Sequence, residues 1–378
     1  MKINKEKRSR YKQDNMETAL VIGGAVLVII AIIFVILIHV LAVYRDVFIN
    51  SNRVYYFFLS LLDSIDRIAV PSFFMITGIL MLNKKPENDY LKYLRKRMPK
   101  LIITFTIFSL VYYILSISKS NEQFLIFNFI KTFLSYGGVY YHLWFMYEII
   151  RIYILIPFLY PFIKSLKKNE IKNLIITIFI LGNVVNFIYM FTSRYNHTIF
   201  TGIPLSSLTI CINYLFLGYY LHKYEIKKNT RKKFYIAGII SILLIPVADL
   251  FYITNMRNDN TFTVNSIFLM LPASAVFLLF KYNYDKLKIN NKVENIIKKI
   301  SNNTLYIYMI HVIILEFVMK YIHIIITPNR LINILILIPI TLILTFIISF
   351  ILSLLIDFLY KKTSDLITNI LKKTKVKN

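Results

Sequence analysis

Long apolar runs separated by short basic segments are the feature that most constrains how this chain can fold. A membrane-spanning helix needs about 20 consecutive, mostly apolar residues. Ten stretches meet this requirement: 19–43, 57–82, 101–118, 140–162, 172–192, 204–222, 234–254, 263–281, 304–322 and 331–359. Because a backbone inside a bilayer must satisfy its own polar groups, each stretch is predicted to be helical. The chain is therefore predicted to be all-α, a polytopic transmembrane helical bundle of about ten spans.

Two segments leave alternatives open. Residues 54–66 carry Asp63 and Asp66 and lie either in the second span or along the membrane interface. Residues 122–135 are apolar but too short to span, and are predicted to be interfacial or re-entrant.

The basic residues alternate from one loop to the next. Clusters of Lys and Arg occupy both tails and the loops after the second, fourth, sixth and eighth predicted spans, whereas the other loops carry few. Cytoplasmic loops of membrane proteins are enriched in Lys and Arg. Both termini are therefore predicted to be cytoplasmic, with basic tails at 1–18 and 360–378 and one transmembrane domain at 19–359.

Composition excludes several classes of protein. The net charge is +26, but 57% of the residues are hydrophobic, and the cations lie between apolar runs. A nucleic-acid-binding protein needs a soluble basic face, so we expect membrane lipids and no nucleic acid among the partners. The single cysteine, Cys211, excludes an intrachain disulfide and a cysteine-based metal site, and no metal is predicted.

Ionisable side chains within the predicted spans are functional candidates, because insertion of a charge at the bilayer centre costs about 2.5–3.5 kcal/mol. They are His39, Arg67, Glu148, Arg151, Asp249, His311, Glu316 and Asp357. Imidazole exchanges protons near neutral pH, so the two histidines suggest acid–base chemistry or a proton path. The alternative for each histidine is a satisfied interior side chain. The alternative for Glu148 and Arg151 is a structural ion pair, since residues three apart share a helix face.

Five stretches together resemble the membrane acyltransferase-3 family, bacterial integral-membrane enzymes that modify surface glycans. The first two are Ala31 with His39 eight residues later, and "RIAVPSFFMITGILML" beginning at Arg67. The third is the basic turn "YLKYLRKRMPKLI". The others are "HLWF" from His142 with Tyr153 and Pro157, and "NTLYIYMIHVII" with Tyr308 and His311.

The chain departs from the family pattern at three places, one of which is Val312, where the family has Pro after the late histidine. The family usually has Arg eleven residues before the first histidine, where this chain has Val28. Its Arg-x-x-Arg turn is Arg97 and Lys100 here. Lysine retains a charge for phosphate but not the bidentate geometry of arginine.

The resemblance implies a multi-pass acyltransferase in the plasma membrane of a bacterium. It would move an acyl group, most simply acetyl, from cytoplasmic acyl-CoA to a hydroxyl of a cell-surface glycan or lipid-linked sugar. His39 would act as the general base or relay the acyl group, and His311 would assist. Acyl-CoA, with acetyl-CoA as the expected donor, is implied as a substrate, and no permanently bound cofactor is implied.

Substrate contacts are expected at opposite ends of the bundle. Arg95, Arg97 and Lys100 lie at a cytoplasmic helix start that favours phosphate, although positive-inside charge explains them equally well. His142 and Trp144 are predicted at the outer end of the fourth span, where a sugar could stack on the indole. The alternative there is an aromatic membrane anchor. Arg67, Glu148 and Arg151 would continue this acceptor pathway inward.

Two other classes of function remain open. Ten spans with intramembrane histidines and an ion pair also suit an exporter or flippase of a polysaccharide or its precursor. A non-catalytic binding or sensory membrane module is the third possible function. Neighbouring genes would discriminate between the first two functions, because a polysaccharide synthesis cluster supports modification, whereas a cluster that lacks any other exporter supports transport.

Overall fold

The computed structural model describes residues 23–44, 53–120, 123–135, 138–185, 187–188, 206–256, 267–283, 290–322 and 330–376. All regular elements within these ranges are helices, which confirms the all-α prediction. The chain divides into two compact units. Unit 1 contains Met1–Tyr56 and Tyr284–Asn378, and unit 2 contains Phe57–Asn283.

The helices are numbered in chain order within the described ranges. They are α1 Gly23–Tyr44, α2 Arg53–Asp66, α3 Ala69–Leu82, α4 Tyr90–Arg97, α5 Pro99–Ser120, α6 Ile126–Leu134, α7 Trp144–Ser165, α8 Lys168–Phe179, α9 Ser207–Lys223, α10 Lys228–Met256, α11 Met270–Asn283, α12 Asn291–Asn302, α13 Thr304–Ile322 and α14 Ile338–Val376. A π-helical segment, Ile180–Val184, extends α8. A short helix, Arg330–Ile332, and a second π-helical segment, Asn333–Leu337, precede α14.

Six helical segments in the described ranges are long and apolar enough to cross a membrane. They are Gly23–Tyr44, Val54–Leu82, Pro99–Ser120, Trp144–Ser165, Thr304–Ile322 and Asn333–Leu366. Helices α8 to α11 occupy parts of the other four predicted stretches. The total of ten spans and the cytoplasmic position of both termini stay predictions.

The short apolar segment around residues 122–135 forms α6, a helix of nine residues. Phe127 and Leu134 are among its large exposed apolar side chains. An apolar helix of this length cannot cross a bilayer, so its exposed face fits the predicted interfacial position.

Helix α9 is the centre of unit 2, since it packs against α3, α7, α8 and α11. Its contact with α3 is backbone against backbone. A Cβ added at Gly78 would overlap the Leu215 carbonyl, and one added at Gly218 would overlap the Met75 backbone. Glycine on both helices therefore permits this close approach, as in other membrane helix pairs.

Two prolines within helices each leave a backbone carbonyl without its helical donor, and a hydroxyl from another helix donates to that carbonyl. Pro157 in α7 has no N–H, so the carbonyl of Tyr153 loses its intrahelical donor, and Tyr93 Oη of α4 donates to it at 3.0 Å. Pro246 in α10 likewise releases the carbonyl of Ile242, which accepts from Ser64 Oγ of α2 at 3.1 Å. These hydrogen bonds satisfy the carbonyls and join separate helices.

In unit 1, α13 packs against α14. Ile314, Val318 and Ile322 form a buried cluster against Ile348 and Leu352. The packed length of α14 carries small hydroxyl side chains every four residues, all fully buried: Thr341, Thr345, Ser349 and Ser353. Small side chains at this spacing form one helix face and allow close packing. Helix α1 joins α14 through Tyr44 Oη, 3.1 Å from Thr341 Oγ1.

Candidate functional site

Two histidines distant in the sequence lie side by side in unit 1. The ring centroids of His39 on α1 and His311 on α13 are 5.2 Å apart, and the rings are tilted by 37°. His311 is fully buried and His39 is half-buried. The pair therefore places two proton-exchanging groups together among apolar helices.

The backbone of α13 orients the His311 ring. His311 Nδ1 lies 2.6 Å from the carbonyl oxygen of Tyr308, one turn earlier. A carbonyl oxygen only accepts, so Nδ1 donates and carries the proton. In the neutral ring Nε2 is then the basic nitrogen. Tyr308 and His311 also form the late Tyr-x-x-His pattern found in the sequence, and the spacing of three provides this contact.

A second polar group lies in unit 2 around Glu148 of α7. The Glu148 carboxylate is fully buried, and its Oε1 accepts a hydrogen bond from Ser207 Oγ at the start of α9. Arg151 Nη1 lies 3.5 Å from the same oxygen, while the Arg151 side chain is 44% exposed. The predicted local pair is therefore present, and it leads from the interior of unit 2 to its surface.

Arg67 lies in a second ion pair of unit 2, at the turn between α2 and α3. Its Nε is 2.8 Å from Asp63 Oδ2, and both side chains are nearly buried, at 11% and 3% exposure. Asp66, the last residue of α2, is also fully buried. Because a charge inside a protein needs a partner, this geometry gives Arg67 a structural role beside any contact with an acceptor.

His142 lies within a group of aromatic rings. Its side chain is 2% exposed and contacts the Tyr112 ring edge to face, with centroids 4.8 Å apart. Tyr140 and Tyr141 are also neighbours, each with a centroid distance of 5.7 Å. Trp144, two residues later, is half-buried. Of this predicted acceptor pair, Trp144 has the more accessible ring.

The predicted donor residues lie where α4 ends and α5 begins. Arg95 and Arg97 are exposed and Lys100 is half-buried. Neither guanidinium forms an ion pair with a carboxylate of the described residues. Their neighbour Lys96 does pair, with Glu87 at 2.6 Å, and this hydrogen bond holds the pKa of the Glu87 carboxyl below its usual value. The expectation that both arginines lie at a helix start is wrong, because they lie in the last turn of α4, and only Lys100 lies in the first turn of α5.

Within the described ranges, no group of three His, Cys, Asp or Glu side chains is arranged to hold a metal ion. Asp357, a further ionisable candidate from the sequence, pairs with Lys361 on α14 at 2.6 Å. The side chain of Asp249 lies outside the described residues.

Sequence reasoning did not single out Ser207 or Tyr93. Ser207 lies at the start of α9 and reaches Glu148 across a helix contact, for which the sequence holds no local signal. Tyr93 could have been found from Pro157, because a proline inside a predicted span leaves a carbonyl that needs a donor.

A family model and a known protein are similar to this chain. The family model described as an acyltransferase domain, acyltransferase-3, matches residues 26–354. An amino-acid racemase from Enterococcus faecalis is 24% identical over an alignment of 292 positions that covers 71% of this chain and 38% of that protein. This chain thus covers well under half of the curated relative that it matches. No solved structure matches.

Proposed function

The chain belongs to the acyltransferase-3 family, and from this premise we propose that it moves an acyl group from acyl-CoA to a hydroxyl of a cell-surface glycan or lipid-linked sugar. Acetyl is the proposed acyl group, and the plasma membrane of a bacterium is the proposed location. The observation that carries the proposal is the pair of histidines, His39 and His311, with ring centroids 5.2 Å apart.

The chemistry of acyl transfer suits such a pair. A histidine accepts the proton of the acceptor hydroxyl while that oxygen bonds to the thioester carbonyl carbon. The carbon–sulfur bond then breaks, and the histidinium returns the proton to the departing CoA thiolate. One imidazole can act in both halves, because it exchanges protons near neutral pH.

The two rings suit different roles in this step. His39 is half-buried, so its ring is the more accessible to a substrate oxygen. His311 is fully buried and held by the Tyr308 carbonyl. We assign the general base to His39, and to His311 the support of the charge that His39 acquires.

Unit 2 is proposed to hold the substrates. Arg95, Arg97 and Lys100 would contact the phosphates of CoA, which the exposed guanidinium groups of both arginines support. Trp144 would stack against a sugar ring, and His142 would support the aromatic group beside it. Glu148, Arg151 and Arg67 would line or shape the acceptor pathway.

The racemase relative does not change this proposal. The matched segment is 38% of that protein, so the activity in its name belongs to a much longer chain. The family match covers residues 26–354 of the present chain and points to acyl transfer.

The test is ester analysis of the surface glycans of a deletion strain. Alkaline treatment releases ester-linked acyl groups, which are then identified and counted. We expect the deletion to remove one class of ester and the wild-type gene to restore it. A gene carrying both His39→Gln and His311→Gln should not restore it, although the protein accumulates in the membrane.

The matched control is His222→Gln, the same change in a histidine of unit 2 at the end of α9. It should restore the esters fully. Unchanged esters in the deletion strain would contradict the proposal. Loss of the glycan itself from the surface, rather than of its esters, would instead favour the exporter.

A further inference from the structure

Three lysines and two tyrosines converge in unit 2, where α7 ends, α8 begins and α9 ends. Lys164 Nζ and Lys223 Nζ each lie 5.1 Å from the centroid of the Tyr219 ring. Lys168 Nζ and Lys223 Nζ lie 5.2 and 5.3 Å from the centroid of the Tyr224 ring. These five residues form what we term the lysine–tyrosine cluster. Its tyrosine rings hold three cations together, because the face of an aromatic ring attracts positive charge.

In the described part of unit 2, the three lysines of the cluster are not paired with carboxylates. None of the three ammonium groups forms an ion pair with a carboxylate of the described residues, and all three lysines are exposed. The nearby carboxylate of Glu170 instead accepts from the backbone N–H of Lys167, at 2.6 Å. Three like charges around two shared rings repel one another, so a bound anion would stabilise the arrangement.

The rings and the helix end beneath the cluster are fixed in place. Tyr219 is fully buried, and its hydroxyl accepts from Lys223 Nζ at 2.8 Å. Lys281 of α11 donates to the carbonyls of Leu221, His222 and Tyr224, at 2.7 to 3.0 Å. The carbonyls at the C-terminus of a helix repel anions, so the half-buried ammonium group of Lys281, bonded to them, reduces this repulsion.

An apolar strip leads along α7 to the cluster. Ile154, Phe158 and Phe162 are all exposed and follow one another at intervals of four residues, so they share a helix face. Helix α7 is long and apolar enough to cross a membrane, so this strip would face acyl chains. Lys164 lies in the last turn of α7, beyond Phe162 along the helix axis, at the level where the headgroups of the same lipids would lie.

From these observations we propose that the lysine–tyrosine cluster binds the phosphate of an anionic phospholipid headgroup, whose acyl chains lie along the apolar strip of α7. The charge, the exposed ammonium groups and the adjoining apolar face match the two parts of such a lipid. Basic residues at a membrane surface each contribute about fivefold to affinity for anionic lipid. This lipid site is separate from the acyl-transfer proposal and does not depend on it.

The experiment measures thermal unfolding of the purified full-length protein in detergent, with increasing dioctanoyl phosphatidylglycerol. We expect this lipid to raise the unfolding temperature saturably, and dioctanoyl phosphatidylcholine to have little effect. In the variant Lys164→Gln, Lys168→Gln and Lys223→Gln, the half-saturating concentration should rise by at least about tenfold. Replacing the same three lysines with Arg should preserve binding, because charge and ring contacts remain.

The matched control replaces Lys228, Lys232 and Lys233, three exposed lysines of α10, with Gln. It removes the same charge and should leave the half-saturating concentration unchanged. Equal weakening in the control and cluster variants, or no weakening in the cluster variant, would overturn the site. An equal effect of phosphatidylcholine would show that the charge is not recognised. The same rise in unfolding temperature with inorganic phosphate at equal concentration would show that the cluster binds a soluble phosphate compound. The proposal that it binds a lipid would then be wrong.

Discussion

The two units of this protein hold polar groups in their interiors in different ways. In the described part of unit 1, the buried polar side chains are His311, two asparagines and the hydroxyl row of α14, none of them a carboxylate. In unit 2, the carboxylates of Asp63, Asp66 and Glu148 are all buried. Two of these have a basic residue one helical turn away, as in the pairs Asp63–Arg67 and Glu148–Arg151.

This difference between the units predicts different effects of substitutions in each of them. A neutral imidazole can gain and lose a proton without leaving a permanent buried charge, so the interior of unit 1 suits proton transfer. A buried ion pair is costly to break, because the remaining charge loses its partner. Substitutions in unit 1 should therefore affect turnover first, and substitutions in the ion pairs of unit 2 should affect stability first.

The strongest test of the comparison is His39→Gln in unit 1. Glutamine retains a hydrogen-bonding group but cannot cycle a proton near neutral pH. If His39 is the base, acyl transfer per inserted molecule should fall by about 10²–10⁴-fold, with normal accumulation. His39→Leu should lower activity similarly. Near-normal turnover in the Gln variant would show that His39 is not the base. It would also contradict the assignment of proton transfer to unit 1.

The second test is Arg67→Leu in unit 2. It leaves the Asp63 carboxylate, 3% exposed, without this partner, and breaking a buried pair costs about 3–5 kcal/mol. The free energy of unfolding in detergent should fall accordingly. The double variant Asp63→Leu and Arg67→Leu should recover much of the loss. If the Arg67→Leu variant keeps its free energy of unfolding but loses acyl transfer, Arg67 contacts the substrate. The structural role assigned to this ion pair of unit 2 would then be wrong.

The third test concerns substrate contact in unit 2. Replacing Arg97 and Lys100 with Gln should raise the KM for acyl-CoA by roughly fivefold to tenfold, because each exposed charge contact contributes up to about 1 kcal/mol. The kcat should change little, since neither side chain belongs to the histidine pair. The control pair Lys84→Gln and Lys85→Gln removes equal charge from exposed positions on the preceding segment. An equal rise in KM for the control would show that Arg97 and Lys100 do not contact acyl-CoA specifically. The basic turn would then serve only to orient the protein in the membrane.

The smaller of the two expected effects on stability is that of Tyr93→Phe, which removes the hydroxyl that satisfies the Tyr153 carbonyl. The free energy of unfolding should fall by about 1–3 kcal/mol, the cost of an unsatisfied buried acceptor. Pro157→Ala restores a backbone N–H to that carbonyl, so Tyr93→Phe should cost less in this background. Equal costs in both backgrounds would show that the hydrogen bond does not join α4 to α7 as inferred.

Several features of the fold follow directly from the sequence. The stretch predicted at 304–322 is the helix Thr304–Ile322, because an apolar run of that length in a bilayer has one way to satisfy its backbone. The local pair of Glu148 and Arg151 follows from a spacing of three on one helix. The histidines themselves were identified because ionisable groups are rare in apolar spans.

The contacts between helices were decided by the tertiary structure. Hydrophobic periodicity defines which face of a helix is apolar but not which helix covers it. The contact between His39 and His311 could therefore be expected only from the resemblance to the family. The link between Ser207 and Glu148 and the convergence of Lys164, Lys168 and Lys223 depend on how α7, α8 and α9 pack. The fit of two surfaces distant in the chain determines which helices pack together, as where Gly78 and Gly218 permit the close approach of α3 and α9.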